Sequence, residues 1–154
     1  MYLNRKTYVR NWDFMQEKRK TKIIIKKDGK DISGIDTSKI SHIIENVMTW
    51  RKANQIHNWF VKNIQNGIDD CKEYDVGIED LEKLLDTCKK VLEDNTKAPK
   101  LLPCTEGFFF GSTDYNEYYF DDVQETKGEL EKIIEHYNTE RDNLHQYFTY
   151  QSSW

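Results

Sequence analysis

The chain has little of what punctuates or staples a fold. Two prolines and seven glycines in 154 residues leave small room for linkers, and one domain over residues 1–154 is the simplest organisation. Its three cysteines, Cys71, Cys88 and Cys104, are odd in number, widely spaced and without a C-x-x-C. That argues against a disulfide framework and for a reducing compartment. No apolar run approaches the roughly 18 residues of a membrane-spanning helix, and the N-terminus is too polar for a signal peptide. These absences lead us to expect a soluble, intracellular protein without a membrane partner.

What is present is charge and aromatic surface. Charged residues make up 32% of the chain, hydrophobic residues 37% and aromatics 13%. Disordered chains are poor in aromatics, so this composition fits a folded domain with a small, aromatic-heavy core. The net charge of -4 is uneven. Residues 1–30 form a basic N-terminal segment with ten Lys/Arg against three Asp/Glu, and the remainder holds thirteen against twenty-four. Such a segment could touch phosphates or an acidic partner, or be a solvated edge whose lysines block strand pairing.

Along the chain, residues 1–20 give no clear pattern. "TKIIIKKDGKDI" reads as a β-hairpin turning at Asp28-Gly29, and Asp36, Thr37 or Ser38 could cap a following helix. That helix is expected from about Ser38 to Gln65. Its apolar stripe, Ile40, Ile44, Val47 and Met48, continues as Arg51, Asn54, Gln55 and Asn58, while Ala53, Ile56, Phe60 and Ile64 fall opposite. Either the helix breaks near residues 49–52, or its second half is buried on two sides and a polar strip lines something. Asn66-Gly67 fits a helix end, inside a turn-rich connector. A clean amphipathic helix follows with Leu81, Leu84, Leu85, Cys88 and Leu92 on one face. "TKAPKLLPC" reads as a loop and "GFFF" as a short strand. A helix from about Tyr115 to Tyr137 carries a capping-box pair, Asp114 and Glu117; Ser112 or Thr113 could cap instead, and Gly128 weakens the helix without ending it. The tail "HQYFTYQSSW" alternates like a strand, and its final Trp154 reads as a plug of the core or a subunit contact. The fold class is α+β: a small antiparallel sheet (N-terminal hairpin, "GFFF", C-terminal strand) packed against three or four helices.

Two stretches carry candidate chemistry. In "FFFGSTDYNEYYF", a strand ending in Gly111, Ser112 and Thr113 delivers a helix N-terminus. Free backbone N–H groups and the helix dipole there favour an anion, with Gly111 permitting close approach. The same string is also an ordinary helix start, and Asp114 would repel an anion. In "WRKANQIHNWF", Trp50, Asn54 and His57 share one side of a helix, and Arg51, Gln55 and Asn58 an adjoining side. Aromatics beside Arg, Asn and His suit stacking on a flat base and bonding to its edges. His57 could equally be a core histidine. The candidate ligand-binding residues are therefore Trp50, Arg51, Lys52, Asn54, His57, Asn58 and Trp59, with Gly111, Ser112, Thr113 and Tyr115.

Enzymatic signatures are missing. None of the histidines, His42, His57, His136 and His145, pairs at metal-ligand spacing. There is no phosphate-binding Walker loop, dinucleotide fingerprint or G-x-S-x-G elbow. The adjacent acids Asp69-Asp70 and Asp121-Asp122 point apart on a helix. A Cys71/His57 pair has nothing to favour it. No cofactor, metal or catalytic residue is expected.

The strings "WRKANQIHNWFVKNIQNGIDDC", "LLPCTEGFFFGSTDYNEYYFDDV" and "YQSSW" together resemble a small-protein family of bacterial phages and prophages. The resemblance covers most of the chain after about Ile40 and carries no functional residues with it. It implies a phage-encoded accessory protein in the host cytoplasm, a setting in which small proteins often inhibit host immunity. Two expectations follow. The first is a non-enzymatic anti-defence binder that sequesters a small anionic nucleotide. The second is a protein inhibitor of a host defence protein, such as an anti-CRISPR whose acidic body mimics DNA charge. A phage structural or assembly factor, with a homo-oligomeric surface, is a third option. Direct nucleic-acid binding is not expected.

Overall fold

The computed structural model describes residues 1–17, 20–32, 34–107 and 112–153. Four strands form one antiparallel sheet: β1 (Tyr2–Tyr8), β4 (His42–Thr49), β5 (Tyr74–Val76) and β6 (His145–Gln151), in the order β4-β1-β6-β5. A separate two-stranded hairpin joins β2 (Lys26–Lys27) to β3 (Lys30–Asp31). The helices are α1 (Asn54–Asn63), α2 (Ile78–Glu93), a single turn α3 (Ala98–Leu101) and α4 (Glu117–Glu140). The architecture is α+β, as the sequence implies. Among the described residues no helix is long and apolar enough to cross a membrane.

The expected helix over 38–65 is half strand. His42–Thr49 pairs with β1, and only Asn54–Asn63 is helical. The apolar residues of 40–48 do recur at helical spacing, but Ile43, Ile44 and Val47 are β-branched and favour a pleated surface. The edge of β1 supplies the ladder that fixes the choice. Asp36 caps only a short 3₁₀ turn, Thr37–Lys39. The hairpin at Asp28-Gly29 does form, with φ of 51° and 76°, as a type I′ turn requires. It stands outside the main sheet, contrary to expectation.

Strand β1, unreadable in the sequence, lies at the centre of the sheet. Its polar residues are met across the strands. Arg5 donates twice to the Glu45 carboxylate at 2.9 Å, Lys6 pairs with Glu73, and Asn46 bonds Asn4. Strand β5 falls where a connector is expected, and α3 interrupts the expected loop at 96–104. Phe108, Phe109 and Phe110 of the expected "GFFF" strand, and Trp154, lie outside the described residues.

The core gathers Leu3, Met48 and Trp50 from the β1–β4 side with Ile56 and Phe60 of α1 and Tyr150 of β6. Phe60 stacks flat on Tyr150, with centroids 3.9 Å apart and planes at 6°. Helix α2 contributes Leu81, Leu84, Cys88 and Val91, and packs against α4 through Val123, Leu130 and Ile133. Leu81, Leu84 and Leu130 are fully buried, each stabilising the fold by about 1.5–3 kcal/mol. Burial pushes the Cys88 thiol up to about 12, so it is an inert core group.

Candidate functional site

The site begins where β4 ends. Lys52 takes a left-handed φ of 66°, and Ala53 (φ -72°, ψ 75°) closes a tight inverse γ-turn in which the Asn54 N–H reaches the Lys52 carbonyl at 2.8 Å. This bend lifts Arg51 and Lys52 into solvent and starts α1 at once. Ala53 offers no side chain to cap the helix. The first turns of α1 are buried all round, from Asn54 to Phe60. The polar strip therefore faces protein: the Asn54 amide donates to the Ser112 carbonyl at 3.0 Å and accepts from the Thr105 N–H at 3.1 Å. Asn58 donates to the Pro103 carbonyl at 2.9 Å, and Gln55 donates to Asp122 at 3.2 Å.

Between this bend and the start of α4 lies a groove of about 550 Å³. One wall is Arg51, Lys52, Asn54 and Gln55. The other comes from the segment leading into α4 and its first turns: Ser112 and Asp114, then Tyr118, Tyr119, Asp121 and Asp122. The two stretches singled out in the sequence thus share one groove. Among the described residues, Arg51, Lys52, Asp114, Asp121 and Asp122 form no ion pair. Desolvation by burial holds Asp122 above the ordinary carboxylate range, the Gln55 hydrogen bond opposes this, and neighbouring Glu125 and Asp121 add to it. Tyr118 is 72% exposed. Tyr119 is fixed by donating to the Leu102 carbonyl at 2.7 Å.

The remaining candidates are placed elsewhere. Trp50 is 4% exposed and donates from its indole to Thr126 Oγ1 at 2.8 Å. His57 is 1% exposed: Nδ1 meets the Tyr150 hydroxyl at 2.7 Å and Nε2 meets Asp69 at 3.0 Å. Burial lowers its pKa, and Asp69 opposes that. Cys71 is exposed, and its carbonyl accepts from Gln151. Asn58 and Trp59 line a smaller cleft of about 160 Å³ beside Leu102 and Pro103. Thr113 is exposed, Tyr115 accepts from the Cys104 N–H at 3.3 Å, and Gly111 lies outside the described residues.

The capping-box pair gives way to Asn116, whose side chain accepts from the Tyr119 N–H at 3.2 Å. Asp114 instead accepts from the Ser112 hydroxyl at 2.5 Å, while its own N–H donates to Ser112 Oγ at 3.0 Å. The α4 N-terminus is thus capped by its own residues, and the uncapped helix start at the groove belongs to α1.

Sequence reasoning missed Gln55, Asn116, Tyr118, Asp121 and Asp122 as groove residues. The signal was present: Tyr118, Asp121 and Asp122 stand at i, i+3 and i+4, one face of a helix. Among the described residues no group of three or more His, Cys, Asp or Glu could hold a metal ion. Comparison with protein-family models, curated proteins and solved structures gave no significant match, so the reading of this groove rests on its own geometry.

Proposed function

We propose that the groove binds a small nucleotide without chemical turnover, its phosphate held at Arg51 and Lys52. The observation that carries this is the pair of cations, Arg51 and Lys52, which make no ion pair among the described residues and stand at the start of α1, where Ala53 provides no side-chain cap, beside a groove of ligand size. The positive end of the α1 dipole adds to the field there. The opposite wall suits the other end of such a ligand. Asp121 and Asp122 are acceptors for the amino and ring N–H groups of a base. Tyr118 offers an exposed flat ring for stacking. A bare anion gains nothing from this acidic wall. A nucleotide uses both ends, and the carboxylates orient it by repelling its phosphate. In the phage setting that the resemblance implies, the protein would sequester a nucleotide second messenger in the bacterial cytoplasm and so counter a defence system.

Isothermal titration of the protein with mononucleotides and cyclic dinucleotides tests this. Micromolar or tighter binding of one of them is expected, weakened at least tenfold in Arg51→Ala. Binding unchanged by Arg51→Ala, or no binding across the series, would remove the groove from the account. A second reading, inhibition of a host protein, is favoured by exposed Tyr118 beside exposed Asp121 on α4. It requires a partner polypeptide whose binding is lost in Tyr118→Ala but kept in Arg51→Ala.

A further inference from the structure

A second surface stands at the other end of the sheet. β1 pairs with β4 from Tyr2↔Thr49 to Tyr8↔His42, so Arg51 and Lys52 follow one end and the chain after Tyr8 leaves from the other, about 20 Å away. There the register puts Tyr8 beside both His42 and His145, with Lys6 beside Tyr147. The rings touch edge-on: Tyr8 to His42 at 5.1 Å and His42 to Tyr147 at 5.9 Å between centroids. The Lys6 ammonium lies 6.0 Å from the centre of the Tyr147 ring.

This aromatic cluster continues into the basic arm. The Trp12 indole donates to the Tyr8 hydroxyl at 2.9 Å. Arg10 covers one Trp12 face at 4.2 Å, and Phe14 stacks near it with ring planes at 14°. Trp12 is 42% and Phe14 84% exposed, although burying such rings would be worth about 2 kcal/mol each. Trp12, Phe14, Met15 and Gln16 line an apolar cleft of about 430 Å³. A polar depression of about 450 Å³ includes Asn11, Lys20, Lys22, Thr37 and Ser38, with Glu17 paired to Lys20. Among the described residues Arg10, Lys22, Lys27 and Lys30 make no ion pair.

Flat rings beside cations that make no ion pair among the described residues match the two chemical parts of an unpaired polynucleotide. We propose that the arm and the adjoining end of the sheet bind single-stranded nucleic acid, with bases stacked on Trp12 and Phe14 and phosphates at Arg10 and Lys22. Bases inside a duplex are already stacked and cannot reach these rings. The ten-to-three excess of cations over acids in residues 1–30 supplies the charge complementarity. The site is independent of the α1–α4 groove.

The test is fluorescence anisotropy of a labelled, mixed-sequence DNA strand of about 15 nucleotides, alone and as a duplex, at low and raised salt. The full chain is compared with a Trp12→Ala/Phe14→Ala variant that keeps every charge while losing both rings and the Trp12–Tyr8 hydrogen bond, its fold checked by circular dichroism. The expected result is preference for the single strand, affinity that falls with salt, and about a tenfold or greater loss in the variant. Arg51→Ala should bind the strand as wild type does. Equal binding of strand and duplex, unchanged in the variant, would overturn the proposal in favour of charge alone. Absence of strand binding, with a self-association in sedimentation that the variant abolishes, would assign the surface to a second copy of the chain.

Discussion

Asn54 is the residue whose removal tests how the groove is built. It is 2% exposed, and its amide joins two segments distant in sequence, donating to the Ser112 carbonyl and accepting from the Thr105 N–H. Asn54→Ala deletes both bonds. Each contributes a net 0.5–1.5 kcal/mol, so the loss is about 1–3 kcal/mol. The centre of that range is favoured because both orphaned backbone groups are only partly buried and recover water. For a chain of this size, about 2 kcal/mol lowers Tm by about 4–8 °C. The assay is urea unfolding followed by far-ultraviolet circular dichroism, with an unchanged m-value marking a pure stability effect. Asn54→Asp keeps the acceptor for Thr105 but turns an oxygen toward the Ser112 carbonyl, and should be no better than Ala. A stability change below about 0.5 kcal/mol for Asn54→Ala, the range of an ordinary surface substitution, would refute the claim that this amide holds the groove wall.

Three further outcomes are expected. Gly128 lies inside α4 with open space where an alanine methyl would sit, so Gly128→Ala should stabilise by about 0.5–1 kcal/mol, read as a higher urea midpoint; a loss of stability would contradict it. Burial lowers the His57 pKa, so the unfolded chain takes up a proton first as pH falls through about 6.5; stability should drop as pH falls through that range, and a profile equally steep in His57→Gln would assign the slope elsewhere. Asp122 has the opposite sign. Its raised pKa means the charged form destabilises the fold at neutral pH, so Asp122→Asn should raise the urea midpoint at about pH 7 while weakening any ligand that bonds to the carboxylate; a lower midpoint would sink that reading.

The legible parts of the fold were those with one buried face. Leu81, Leu84 and Cys88 on α2, and Val123, Leu130 and Ile133 on α4, repeat at helical spacing because one side of each helix meets the core. Strand β6 was legible from Phe148 and Tyr150, which alternate and are both buried. Strand β1 was opaque because Asn4, Arg5 and Lys6 are satisfied by partners 40 or more residues away, which leaves no local pattern. Segment 40–48 misled because its apolar spacing fits a helix while its β-branched residues fit an edge strand, and only pairing with β1 decides. Within the site, Arg51, Lys52, Asn54 and Ser112 were identifiable as polar groups without an apolar role. Asp121 and Asp122 were set aside as neighbours pointing apart. Both nonetheless reach the groove, since one turn of α4 presents them beside Tyr118. His57 and Trp50 drew notice for side chains that serve the core: the first bridges Tyr150 and Asp69, the second anchors Thr126.

The proposed nucleotide site lies between α1 and α4, at Arg51 and Lys52. Native mass spectrometry of the protein purified from a defence-positive bacterial lysate, beside Arg51→Ala handled identically, tests it most directly. The expected result is a mass increment equal to a nucleotide, released on mild heating and absent from Arg51→Ala. A bare mass, or a nucleotide increment equally present in the variant, would contradict it.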